Sequence, residues 1–164
     1  MSWAFYEEWE IGEKSEFGSY HFSREEIIEF ASAYDPQAFH LDEEAGRQSI
    51  FGRLSASGWH TTAGFMKCWA GYCLARRAEK KAQGLPLPEI APSPGFEALQ
   101  WRTPVYPGDM VSFSGEVVAK RLLASRPRWG LVTQRIEAVN QHGALVMSLA
   151  TKLLVERRAS AQLA

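Results

Sequence analysis

The chain has 164 residues and a mass of 18.4 kDa, with 46% hydrophobic and 23% charged residues. That is one domain's worth of sequence with enough apolar content for a packed core, which excludes disorder as its main state. The charge balance, 18 Lys+Arg against 19 Asp+Glu, argues against a dedicated nucleic-acid binder, which needs a phosphate-neutralising surplus.

Met1 to Glu10 is acidic and aromatic and lacks a basic n-region, so no signal peptide is expected. Lys14 to Phe22 is mixed and aromatic, a plausible first strand. Ser23-Arg24-Glu25-Glu26 then forms a capping box. The following helix places Ile27, Phe30, Ala31 and Tyr34 on one stripe. Asp35-Pro36 ends it, because the residue before proline disfavours the α region. Asp42 caps a short second helix through Glu43, Glu44 and Ala45, with Gly46 near its end.

Ser57 is a candidate cap for a long helix from about Gly58 to Gln83, with Gly84 where a left-handed residue is expected. Its first four turns are apolar nearly all round, with Phe65, Met66, Trp69, Tyr72 and Leu74. Such a helix is expected to be surrounded by protein. Gly64 and Gly71 inside it suggest that something packs very closely there. The stretch Leu54 to Ala75 carries Lys67 as its only charge, but also Ser, Thr, His and three glycines. It reads as a core helix and not a membrane span. Cys68 and Cys73 fall on different faces of this helix and look like reduced thiols, so a cytoplasmic protein is expected.

Two Pro/Gly clusters, Gly84-Leu85-Pro86-Leu87-Pro88 and Ala91-Pro92-Ser93-Pro94-Gly95, predict a stiff connector over 85–95. It joins a helical half (1–84) to a strand-rich half (96–156), followed by a short tail (157–164), all in one domain. Phe96 to Thr103 is the first strand after it. Val111, Phe113, Gly115 and Val117 alternate with polar residues, and Thr133 to Glu137 alternates more weakly. Asn140-Gln141-His142-Gly143 is a hairpin turn leading to Leu145, Met147, Leu149, Thr151, Leu153 and Val155 on one face. The order implies an α+β fold, an antiparallel β-sheet wrapped around a long central α-helix.

Two segments carry chemistry. Asp35-Pro36-Gln37-Ala38-Phe39-His40 joins a carboxylate to an imidazole across a stiffened turn, a pair that can polarise water and pass on its proton. The spacing also fits a helix-ending Asp and a loop His. Ser55-Ala56-Ser57-Gly58-Trp59-His60 opens the long helix, whose first amides have no intrahelical partner, and glycine there lets a ligand oxygen approach. This is a ready oxyanion site, or an ordinary Ser N-cap beside a close-packed glycine. Four scattered histidines and two thiols show no zinc spacing, and no phosphate-cradling glycine loop is present, so no metal is expected.

Taken in order, Tyr34-Asp35, His40-Leu41-Asp42, Ser49-Ile50-Phe51-Gly52-Arg53 and Ala56-Ser57-Gly58-Trp59-His60-Thr61 make the chain resemble the MaoC-like hydratases and dehydratases. Trp101-Arg102-Thr103-Pro104-Val105-Tyr106-Pro107-Gly108-Asp109 adds to the likeness, which covers nearly the whole chain. This hot-dog-fold family includes the R-specific enoyl-CoA hydratases. The resemblance implies a single hot-dog domain that reversibly hydrates a trans-2-enoyl thioester to the 3-hydroxyacyl thioester. It implies Asp35 and His40 as the catalytic pair and Gly58, with Trp59, at the thioester carbonyl. Ser57, His60 and Phe39 are possible substrate contacts. No cofactor is implied beyond coenzyme A as part of the substrate, and a homodimer with a continuous sheet is the expected assembly. The chain departs from the family in Pro36-Gln37-Ala38-Phe39, where Asn-Pro is frequent, and in Ser57-Gly58-Trp59, where many members have His-Gly. Two other readings stand beside hydration: a hot-dog thioesterase, and a non-catalytic acyl-thioester-binding subunit.

Overall fold

Side-chain caps set three helix starts in the computed structural model, which describes residues 3–158. Ser23, Asp42 and Ser57 accept from the amides of Glu26, Ala45 and Trp59, and so open α1 (Arg24–Tyr34), α3 (Glu43–Gln48) and α4 (Gly58–Ala82). A single turn, α2 (Ala38–Leu41), sits between α1 and α3. The strands are β1 (Lys14–His21), β2 (Ile90–Trp101), β3 (Met110–Leu122), β4 (Trp129–Asn140) and β5 (Leu145–Glu156). They form one antiparallel sheet in the order β1-β3-β4-β5-β2, with β1 and β2 at its edges.

This is the hot-dog arrangement, a sheet curled around a long helix. α4 spans about 37 Å at 1.5 Å per residue. Its Phe65 ring meets Phe113 and Phe17, each at 6.2 Å between centroids. The β3 alternation follows the pattern expected from the sequence, with Val111, Phe113 and Val117 buried in the core. On β4 the weaker alternation is also real: Val132, Gln134, Ile136 and Ala138 are buried while Arg135 and Glu137 face out. At the far end of α4, Gly84 takes φ +66°, and the Gly84 and Leu85 amides donate to the Lys81 and Lys80 carbonyls.

Three expectations need correction. The stiff connector over 85–95 is partly strand, because β2 begins at Ile90 and runs through both prolines. An edge strand has an unpaired side, so Pro92 and Pro94 remove no ladder bond there, and the register is irregular between Ala91 and Gly95. Met147, Leu149, Leu153 and Val155 are buried on the face of β5 expected from the sequence, and Val146 and Leu154 on the opposite face are buried as well. α4 is not enclosed all round within one chain. His60, Thr61, Gly64, Phe65 and Cys73 are buried, whereas Trp59, Met66 and Leu74 are 50%, 52% and 62% exposed. Of the two glycines inside α4, Gly64 is closely packed, since a Cβ there would lie 3.1 Å from the Phe22 ring, and Gly71 faces open space. The tail expected over 157–164 lies outside the described residues from 159 onward, as do Met1 and Ser2.

Candidate active site

Asp35 ends α1 and His40 ends the short turn that follows, so a six-residue segment presents both side chains. The Gln37 amide donates to the Asp35 carbonyl at 2.7 Å across Pro36, and the His40 amide donates to the Gln37 carbonyl at 2.9 Å. The result brings His40 Nε2 to 3.6 Å from Asp35 Oδ2. His40 is buried, and the Asp35 side chain keeps 19% of its surface exposed.

The buried segment before α4 holds both groups in place. His40 Nδ1 lies 2.7 Å from the Ser55 carbonyl oxygen. A carbonyl only accepts, so Nδ1 carries the proton and, in the neutral ring, Nε2 keeps its lone pair on the side facing Asp35. Ser57 Oγ donates to Asp35 Oδ2 at 2.6 Å and accepts from the Trp59 amide at 3.2 Å. The helix cap is thus also a tether between the carboxylate and the head of α4. Gln37 Nε2 donates to the other oxygen, Oδ1, at 2.8 Å. The Ser57 hydroxyl holds the Asp35 carboxyl below the usual range, opposed by burial and helped by Gln37 and then by the His40 charge.

Asp35, Gln37 and His40 line a cavity of about 480 Å³ together with Phe39, Phe51, Gly58, Trp59, Thr61, Trp101 and Arg102; Ser55 and Ser57 are buried behind its wall. The Trp59 amide is occupied by Ser57, and Gly58, first in the helix, is left with an amide that has no intrahelical acceptor. Gly58 is forced by packing as well as available for binding. A Cβ there would fall 2.3 Å from Cδ2 of Trp101, whose ring rests against the Gly58 backbone. Phe39 packs edge-on against the His40 ring at 4.5 Å, which holds the imidazole plane.

His60 is placed differently. It does not line this cavity but lies among aromatic rings, stacked on Phe30 at 4.6 Å and beside Phe22 and Tyr20. Its Nδ1 has no hydrogen-bond partner. Burial pushes its pKa down to about 4, against the Glu26 charge and with the help of Lys67. The cavity therefore brings together Asp35, His40, Gly58, Trp59 and Phe39; Ser57, expected as a possible substrate contact, is buried and reaches the site only through its bond to Asp35, and His60 lies outside. Three participants were not assigned from sequence: Gln37 and Ser55 as partners of the pair, and Trp101 over Gly58. Gln37, two residues from Asp35, carried a local signal; Ser55 and Trp101 act only through the tertiary fold. Among the described residues no group of three or more His, Cys, Asp or Glu could hold a metal ion.

A family model described as the MaoC like domain matches residues 7–141. A MaoC-like dehydratase structure from Rhodospirillum rubrum is 35% identical, with 94% of this chain and 98% of that chain covered and a TM-score of 0.77. An (R)-hydratase structure from A. caviae shares the fold at 22% identity and TM-score 0.59, over 92% of this chain and 98% of that one. The uncharacterized protein YdeM of Bacillus subtilis is 27% identical over 151 residues, 92% of this chain and 98% of its own length.

Proposed function

Because the chain belongs to the MaoC-like dehydratase family, we propose that it reversibly hydrates a trans-2-enoyl thioester, with coenzyme A as the carrier, to the 3-hydroxyacyl thioester. The observation that carries this reading is the Asp35–His40 pair, tied through Ser57 to the helix head that presents Gly58, with Asp35, His40 and Gly58 lining one cavity.

With Nδ1 donating to the Ser55 carbonyl, the His40 Nε2 lone pair and the Asp35 carboxylate are two acceptors facing one space. A molecule with two protons satisfies both, and water is such a molecule. The thioester oxygen accepts from the Gly58 amide at the positive end of α4. As the water oxygen bonds to the β-carbon, its proton passes to His40 Nε2. The π electrons move to the α-carbon and on to the carbonyl oxygen. The imidazolium, stabilised by Asp35, then returns that proton to the α-carbon. Atoms balance, and the same steps in reverse eliminate water. Asp35 stays ionised throughout, because its hydroxyl and amide donors favour the charged form.

The carrier's phosphates call for a cation. Arg102 lines the cavity, is exposed, and pairs with no carboxylate among the described residues. It is our candidate for that contact. β2 is an open sheet edge bearing exposed Phe96 and Trp101, so we propose a homodimer in which two such edges form one continuous sheet. No helix among the described residues is long and apolar enough to cross a membrane.

A panel of trans-2-enoyl-CoA thioesters from short to long chain, followed by loss of enoyl absorbance, tests the reaction. Hydration of at least one chain length is expected. Release of free thiol from acyl-CoA with no hydration would assign thioesterase chemistry. Binding with no turnover at any length would make the chain a non-catalytic acyl-thioester subunit.

A further inference from the structure

A second concavity of about 650 Å³ lies between α1, α4 and the neighbouring strands β2 and β5. Its walls include Phe30, Phe65, Met66, Phe96 and Leu149. Trp59 lines both spaces.

The wall between them is built and not incidental. The Trp59 ring stands edge-on to Trp101 at 5.0 Å and 76°. Trp101 lines only the dyad cavity, and its Nε1 donates to Thr62 Oγ1 at 3.2 Å; Thr62 lines only the groove. Thr62 in turn donates to the Gly58 carbonyl. Trp101 cannot retreat toward α4, because its ring already fills the space that a Cβ on Gly58 would take. Trp59 cannot shift along the helix, because its amide is held by the Ser57 cap.

We propose that Trp59 is a chain-length determinant: it closes the dyad cavity against the groove, so that the enzyme takes short enoyl groups, and its removal opens the groove to longer ones. The inference rests on the thioester hydration proposed above. Discrimination by a hydrophobic stop is about 10- to 200-fold per methylene excluded, so the effect is measurable in relative rates.

The test compares wild type, Trp59→Ala and the double variant Trp59→Ala/Met66→Trp on C4, C8 and C12 trans-2-enoyl-CoA. Wild type is expected to favour C4 over C8 by about tenfold or more in kcat/KM. Trp59→Ala is expected to raise the C8/C4 ratio by about the same factor, and Met66→Trp to restore the wild-type ratio by refilling the groove. A C8/C4 ratio unchanged by Trp59→Ala, or a double variant that stays open, overturns the proposal. So does a change in the mass of the assembly, which would assign the Trp59 face to a subunit contact. If wild type hydrates none of the thioesters, the reaction fails but the partition is still read. Calorimetric titration with saturated butyryl-CoA and octanoyl-CoA should show the same reversal between wild type and Trp59→Ala, and identical chain preference in the two proteins would sink it. Trp59→Leu serves in place of Trp59→Ala should the latter not fold.

Discussion

Ser57 does two things with one oxygen. It caps α4 through the Trp59 amide and donates to Asp35, so one hydroxyl links helix stability to the charge state of the dyad. Ser57→Ala is expected to cost about 1 kcal/mol of stability through the lost cap. It should also let the Asp35 pKa rise toward its ordinary value, read directly by NMR titration of the Asp35 carboxyl carbon. A structural role alone would lower stability and leave that titration in place. His60 gives a second prediction at this scale. Its folded pKa of about 4 lies below the ordinary 6.5, so the folded state binds fewer protons than the unfolded state in that window. Stability is therefore full above the unfolded pKa and falls as pH drops from 6.5 toward 4, by at most about 3 kcal/mol. Asp35, whose pKa is also lowered, acts in the same direction but only below the ordinary carboxylate value of 3.8. Thermal melts at pH 7 and pH 4.5 should show His60→Leu losing less stability on acidification than wild type.

The elements around the site are held by backbone contact as well as by side chains. α3 approaches the segment before α4 so closely that a Cβ on Gly46 would fall 2.4 Å from the Leu54 backbone nitrogen. Leu54 leads directly into Ser55 and Ser57, which orient His40 and Asp35. Gly46→Ala must therefore displace backbone, with a cost of about 1–3 kcal/mol in denaturant melts and a fall in hydration rate beyond that of a matched destabilised surface variant. Helix boundaries were legible in the sequence because caps are local: Ser23, Asp42 and Ser57 each bond within three residues. The start of β2 was not, because proline forbids a central strand but not an edge, and edge position is a property of the whole sheet.

At the scale of the molecule, the family was legible in the stretches around Asp35, His40 and Gly58, and the match over residues 7–141 bears out the family. Their mutual tether was not, since Ser57 and Asp35 lie 22 residues apart and meet only through the packing of α1 against α4. α4 is less covered than its apolar sequence predicts, because hydrophobic residues mark what is to be covered, not whether the same chain covers it. β5, which lies beyond the matched residues, joins β4 to the edge strand β2 and completes the sheet. The open β2 edge predicts a dimer of about twice the 18.4 kDa chain mass by light scattering. Replacing Phe96 on that edge by Lys should shift the mass toward one chain, and a wild-type monomer would contradict the assembly proposed.

The central claim is that Asp35 and His40 work as one unit on one water. A double-mutant cycle on an enoyl-CoA that wild type hydrates tests it most directly. Asp35→Asn and His40→Gln are each expected to lower kcat by about 10²–10⁴, and the double variant to lose little more than the worse single. Wild-type turnover in either single variant, or losses that simply multiply in the double, would contradict the account.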